Sequence, residues 1–391
     1  MRVVVAIFGA GAVLAAVSLY PSGVWPHAAT TNTVLFDREI VRILNTHCVM
    51  CHTDGGPSFS LASYEEAWLR RSTIHSQTLT RHMPPWAAVP GYGEFANANR
   101  LTLREQRFIV SWVEGLGPRN TGTIFLNVLD PEAAAREEIR ARADFDTWVL
   151  GEPDLEIALP SPDPAANAVG DSTSRIQRTL IDPGFESSTS LAALEYHPAN
   201  RVATRAAVFS VAATGQWLAT WTPWHGYRRL PAGIAYQLAA GTKIVAEIHT
   251  NGAMPALVEP GQIGLHIADR PALDAPSDVE LLATGEVPAG ATALRLHAET
   301  VLAADTTVLA LWPTIPAGIE SMQLAATRPD GGVEILLFAL DIPQDWPTPF
   351  IYSTPVTLPG GSRLTLTAYA SNRGPTALQQ ELKLTMSSVT D

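Results

Sequence analysis

Residues 242–250 read TKIVAEIHT, with Ile244, Ala246 and Ile248 on one parity and Lys243, Glu247 and His249 on the other. A period of two is the signature of a strand that buries one face. The same pattern recurs in AAVFSV at 206–211 and SRLTLTAYA at 362–370, and the runs are divided by HPAN at 197–200, PDGG at 329–332 and PGG at 359–361. Short strands separated by such turn signals predict β-sandwiches from Trp148 onward. Residues 147–391 are too many for one sandwich of about 100 residues. The expectation is therefore a first sandwich over 147–275 and a second over 276–391, parting near Asp274–Asp278.

The rest of the chain has a different composition. Of 391 residues, 46% are apolar and 16% charged, with 28 Gly and 30 Pro, a balance suited to folded, turn-rich protein. The net charge of −12 is uneven, since residues 30–120 carry +1 and residues 121–391 carry −14. A body that acidic excludes nucleic acid as a partner, because phosphate binding needs a basic face. Residues 120–146 form a polar linker with one helical run, DPEAAAREEIRARAD. At the N-terminus, Val3–Tyr20 carries no charge. Eighteen helical residues span about 27 Å, enough for a bilayer core. Residues 1–29 are therefore expected to be a signal-anchor or transmembrane segment that exports the chain to the periplasm and holds it at the inner membrane, with a cleaved secretory signal as the alternative.

Helical signals concentrate in residues 30–119. Ile40, Val41, Ile43 and Leu44 have helical spacing; Ser63 with Glu66 and Thr102 with Glu105 are capping-box pairs; Gly115 and Gly117-Pro118 close the region. These predict a small all-α domain. Within it, residues 47–53 read HCVMCHT and contain the only two cysteines of the chain. Two thiols three positions apart serve a zinc knuckle, a thiol–disulfide pair, a disulfide or thioether attachment of haem. Zinc lacks a second donor pair here, and a thioredoxin-type pair lacks its βαβ setting. Haem attachment accounts for the whole CVMCH pentapeptide. Cys48 and Cys51 bond the vinyl groups, and His52 becomes an axial ligand. For the sixth position, TRHMPPW at 80–86 offers the soft thioether of Met83, stiffened by Pro84 and Pro85, with His82, His75 or an open site as alternatives.

The run from Cys48 to Pro118, CVMCHTDGG…RHMPPWAAVPGYGEFANANRLTLREQRFIVSWVEGLGP, resembles the cytochrome c module fused to bacterial copper type II, ascorbate-dependent monooxygenases. That family includes dopamine β-monooxygenase and peptidylglycine α-hydroxylating monooxygenase. FDTWVLGEPD at 145–154, LAAGTKIVAEIHTNG at 238–252, RPDGGVEILL at 328–337 and PVTLPGGSRLTLTAYASN at 355–372 continue the likeness in order. The resemblance implies a cytochrome c-like haem domain over 30–119 followed by two jelly-roll-like sandwiches.

It also implies two copper sites, and the ligands are mostly replaced. Thr204 and Arg205 stand where a His-His pair is expected, and a guanidinium has no lone pair to donate. His249 is the one survivor, a vestigial copper ligand. Thr314 and Pro316 occupy the expected His-x-His positions, and Met386 is a weak stand-in for the C-terminal methionine. Copper is therefore not expected, since tight sites need three or four fixed donors. His197, His225, His266 and His297 are scattered, and the tryptophans at 217, 221 and 224 are read as core or interface. With no other catalytic signature in view, the expected function is a membrane-anchored periplasmic c-type haem protein. Its catalytically degenerate body would serve as an electron-transfer or docking subunit of a larger membrane redox complex, respiratory or photosynthetic. The alternative is a copper monooxygenase with a divergent site, its haem supplying electrons.

Overall fold

The computed structural model describes residues 33–54, 58–120, 147–160, 174–251, 260–343 and 346–390. Its body is two β-sandwiches with strands numbered β1–β17 in chain order. In the first, one sheet runs β1 (Leu155–Ala158), β9 (Gln262–Ile267), β3 (Thr189–His197), β6 (Tyr227–Arg229), with β7 (Tyr236–Leu238) also on β3. Facing it are β2 (Ser174–Ile181), β8 (Ile244–Asn251), β4 (Thr204–Val211) and β5 (Trp217–Trp221). In the second, β10 (Ser277–Val287), β17 (Leu378–Thr390), β12 (Thr306–Thr314) and β15 (Phe350–Leu358) oppose β11 (Leu294–Val301), β16 (Arg363–Ala370), β13 (Ile319–Thr327) and β14 (Val333–Leu340).

Alternation decides which faces meet. On β16, Leu364, Leu366, Ala368 and Ala370 are all buried while Arg363 and Tyr369 are exposed. On β5 every residue is buried, although it is an edge strand. Its outer side is covered by the second sandwich: the rings of Trp217 and Trp312 stack 5.4 Å apart at 9°. Arg228 lies over Trp217 at 3.8 Å and donates to Ser387 Oγ at 2.9 Å, so the two sandwiches share a polar and aromatic contact.

Residues 33–120 do not form the expected all-α domain. After a π-helical turn at Phe36–Ile40 come α1 (Val41–His47), α2 (Tyr64–Leu69), α3 (Arg71–Leu79) and α4 (Leu103–Glu114), all short. Both capping boxes form, Ser63 with Glu66 and Thr102 with Glu105. Ile40, Ile43, Leu44, Leu61, Ile109 and Trp112 make a small core of their own. The intervening residues 84–99, however, belong to the second sandwich. Ala88 bridges to Ala339 on β14, and Phe95 bridges to Tyr352 on β15. Trp86, Ala87, Ala88 and Phe95 sit in that sandwich's core. Two open edges attract whatever strand can pair with them, and the chain between α3 and α4 does so. Periodicity within residues 30–119 cannot show this, because the pairing partners lie some 250 residues away.

The expected membrane segment at 1–29 and the helix in 120–146 lie outside the described residues. No described helix is long and apolar enough to cross a membrane.

Candidate functional site

Helix α1 ends at His47, and the motif follows as a single turn. The N–H groups of Cys51 and His52 both donate to the Cys48 carbonyl, at 3.0 and 2.9 Å. The thiols are free and half-buried. Burial, then the neighbouring Cys51, pushes Cys48 up to about 12; burial pushes Cys51 up to about 11, against the opposing charges of Arg201 and Arg205. Both are therefore neutral thiols at neutral pH, unlike the acidic thiolates of redox or metal-binding cysteines.

The His52 ring is held in one orientation. Its Nδ1 lies 2.9 Å from the Phe59 carbonyl oxygen, which can only accept, so Nδ1 carries the proton and Nε2 keeps its lone pair. Burial lowers the imidazole below its usual range, with the Phe59 carbonyl opposing, which keeps the ring neutral. The Phe59 ring packs 4.9 Å from the imidazole, and Leu61 N–H donates to the His52 carbonyl at 2.9 Å. His47 next door is engaged on both nitrogens, by Asn99 Oδ1 at 3.0 Å and Glu105 Oε1 at 3.4 Å. Two free thiols and an oriented, neutral imidazole in one turn fit a covalently attached haem.

Met83 is 39% exposed and lines a cleft of about 700 Å³ with Arg81, Pro84, Trp86, Leu101 and Leu340. Cys48, Cys51 and His52 are not among the cleft's lining residues, so the structure does not place Met83 and His52 in one cavity. Of the alternatives, His82 is exposed, with Nδ1 2.9 Å from Thr80 Oγ1, whereas His75 Nε2 is buried without a hydrogen-bond partner.

Sequence reasoning missed Arg201 and Arg205 as neighbours of the motif. Both belong to the first sandwich, and Arg205 sits at a register shift in the β4–β8 ladder between Thr204 and Ala206. Arg201 donates to the Pro223 carbonyl and stands 5.6 Å from the Trp221 ring. Their charges reach Cys51. No local pattern in the sequence joins positions 51 and 205.

The expected copper positions have other partners. His249 pairs across the ladder with Ala206, and its Nε2 lies 3.0 Å from Glu247 Oε1. Arg178 Nε donates to Glu247 Oε2 at 2.7 Å. The His249 hydrogen bond first, and Arg178 after it, hold Glu247 at about 2 against the effect of burial. Thr314 ends β12 on the surface, while Met386 is fully buried in the second core between Leu311 and Val279. His197 stacks on Trp148 at 3.9 Å and meets Glu195 Oε1 at 3.1 Å. Burial brings His225 down to about 4, against the Tyr227 backbone. His297 meets Glu299 at 3.4 Å. Among the described residues, no three His, Cys, Asp or Glu side chains gather as a metal site.

No protein-family model and no curated protein matches this chain. Among solved structures, the major capsid protein P2 of bacteriophage PM2 is similar at 9% identity and a TM-score of 0.24, over 60% of this chain and 97% of that one. A triple jelly roll protein of an archaeal virus has 8% identity and a TM-score of 0.21 over 60% of this chain, which spans 59% of that protein's length. A Paenibacillus xanthan lyase has 8% identity and a TM-score of 0.18, over 60% of this chain and 26% of the lyase. Likenesses this slight carry no argument about function.

Proposed function

We propose that this chain is an exported c-type haem protein. Cys48 and Cys51 would carry one haem by thioether bonds, His52 Nε2 would bind the iron, and Met83 would supply the sixth ligand. When bound, haem c supplies a one-electron iron couple. The observation that carries the reading is the His52 imidazole, its Nδ1 proton held by the Phe59 carbonyl, directly behind two free thiols at CxxC spacing.

The chain's own residues would then tune that couple. The Phe59 hydrogen bond orients the imidazole and strengthens it as a donor. The guanidinium groups of Arg201 and Arg205 supply positive charge beside Cys51, which favours the less charged, reduced state. Large sandwiches carrying a small redox unit suit an electron-transfer or docking subunit of a larger membrane redox complex. The uncharged run Val3–Tyr20 supports export to the periplasm and attachment to the inner membrane.

The test is purification from a host that matures c-type haem, followed by haem and metal analysis. One covalent haem per chain is expected. Absence of covalent haem overturns the reading. About two coppers per chain with ascorbate-dependent oxygen uptake would establish the copper monooxygenase instead.

A further inference from the structure

The cleft of about 700 Å³ lies where the helical unit meets the second sandwich. The end of α3 supplies Thr78 and its following residue Arg81 supplies a rim, the start of α4 supplies Leu103, Arg104 and Gln106, and the end of β14 supplies Leu340. Hydrogen bonds fix these walls. Leu340 N–H donates to Ala87 O at 3.0 Å and Val89 N–H to Phe338 O at 2.8 Å, which ties the floor of the cleft to β14. Gln106 Nε2 donates to Thr78 O at 3.1 Å, which ties α4 to α3. Trp86 is packed in the second core, its ring 5.4 Å from that of Phe350. A preformed cavity of this size at a junction between units is the usual form of a small-molecule site.

The lining has two chemical characters. Met83, Leu103 and Leu340 are 39%, 70% and 39% exposed, so three large apolar side chains stand in water around one opening. An apolar body laid across them would remove that surface from solvent. Arg81, Arg100 and Arg104 bring three guanidinium groups to the same lining, against the single carboxylate of Asp341. On a chain that carries −12, this is a local reversal of sign. Arg100 lies 3.5 Å from Glu94, whose side chain is 73% exposed, and a pair that open to solvent is weak. Arg104 lies over the Phe108 ring at 5.3 Å, and among the described residues neither Arg81 nor Arg104 makes an ion pair.

Arg81 holds its place against backbone preference. It follows the C-cap of α3 with φ 59°, the left-handed position that glycine usually fills. Arginine brings no conformational advantage there; what it brings is a guanidinium at the cleft.

We propose that this cleft binds a small amphipathic carboxylate, its aliphatic body against Leu101, Leu103 and Leu340 and its head among Arg81, Arg100 and Arg104. Guanidinium forks match the two oxygens of a carboxylate. Asp341 in the lining and Glu94 beside Arg100 oppose a doubly charged head, which favours one charge over two. None of Cys48, Cys51 and His52 borders the cleft, so the inference stands whether or not the chain carries haem.

The experiment is calorimetric titration of the full chain at pH 7 with decanoate. Decyltrimethylammonium presents the same tail on the opposite charge, and acetate presents the head alone. Decanoate should bind saturably, and the other two roughly tenfold more weakly or worse, as each lacks either the charge-assisted contact or the apolar burial. Arg81→Gly keeps the left-handed turn and removes the guanidinium, so stability should hold while decanoate affinity falls roughly fivefold. Arg100→Gln and Arg104→Gln should weaken decanoate by a similar factor, and all three losses should shrink in high salt. Arg295→Gln, an exposed arginine on β11, should bind decanoate as wild type does. Absence of saturable decanoate binding, or equal affinity for the carboxylate and the ammonium, overturns the proposal. Wild-type affinity in all three cleft variants, or an equal loss in Arg295→Gln, overturns it as well.

Discussion

The Nδ1 of His52 and the carbonyl oxygen of Phe59 are 2.9 Å apart. This one hydrogen bond decides the tautomer of the imidazole and so which nitrogen can bind a metal. Replacing Cys48 and Cys51 together by Ala should abolish covalent haem, read as loss of haem stain on a denaturing gel. His52→Ala should retain stain and lose the low-spin spectrum. A stained double-cysteine variant would exclude the thioethers.

Met83→Ala should keep covalent haem while the methionine–iron absorption disappears and the reduction potential falls, because a soft thioether favours the ferrous state. His75→Ala is the paired measurement, since His75 Nε2 is the buried imidazole nitrogen without a hydrogen bond in the same region. Should His75→Ala and not Met83→Ala change the spectrum, the sixth ligand is the histidine.

Arg205→Gln should lower the reduction potential. A unit charge at about 10 Å and an effective dielectric near 20 contributes on the order of 1–2 kcal/mol, or several tens of millivolts for one electron. The shift should shrink in high salt, as Arg205 is only half-buried. Potentiometric titration at low and high ionic strength checks both statements. An unchanged potential at low salt would remove Arg205 from the haem's surroundings.

Glu247 gives a pH prediction. Its folded value, about 2, lies below the usual carboxylate value near 4.3, so its stabilising contribution is complete above the unfolded value. That contribution is lost as pH falls from about 4 through about 2. Glu247→Gln should therefore flatten the acid limb of the stability curve in that window, measured by urea unfolding at pH 3 and pH 6. A steeper acid limb would reverse the sign of the argument.

Trp217→Ala should destabilise the protein by about 3–5 kcal/mol, the range for emptying a buried tryptophan site. It removes the stack on Trp312 and the ring beneath Arg228. Denaturant unfolding measures it. A loss under 1 kcal/mol would mean that the sandwiches meet without depending on this contact.

What the amino-acid sequence determined by itself is local. Period-two runs such as 362–370 are strands because neighbouring side chains on a pleat face opposite ways. Ser63 with Glu66 and Thr102 with Glu105 start helices because each pair satisfies backbone donors within one turn. The CxxCH spacing of Cys48, Cys51 and His52 is likewise read without any tertiary information, and haem attachment there is the proposal drawn from it. The tertiary structure alone decided where these pieces meet. Residues 84–99 carry no strong strand pattern, and they became part of a sandwich because unpaired edges of β14 and β15 offered hydrogen bonds to them. Arg205 looked like a lost ligand and proved to be a charge beside Cys51. Such contacts join positions 150 to 250 residues apart, and the free energy that selects them resides in burial and backbone pairing between elements, which no window of sequence contains.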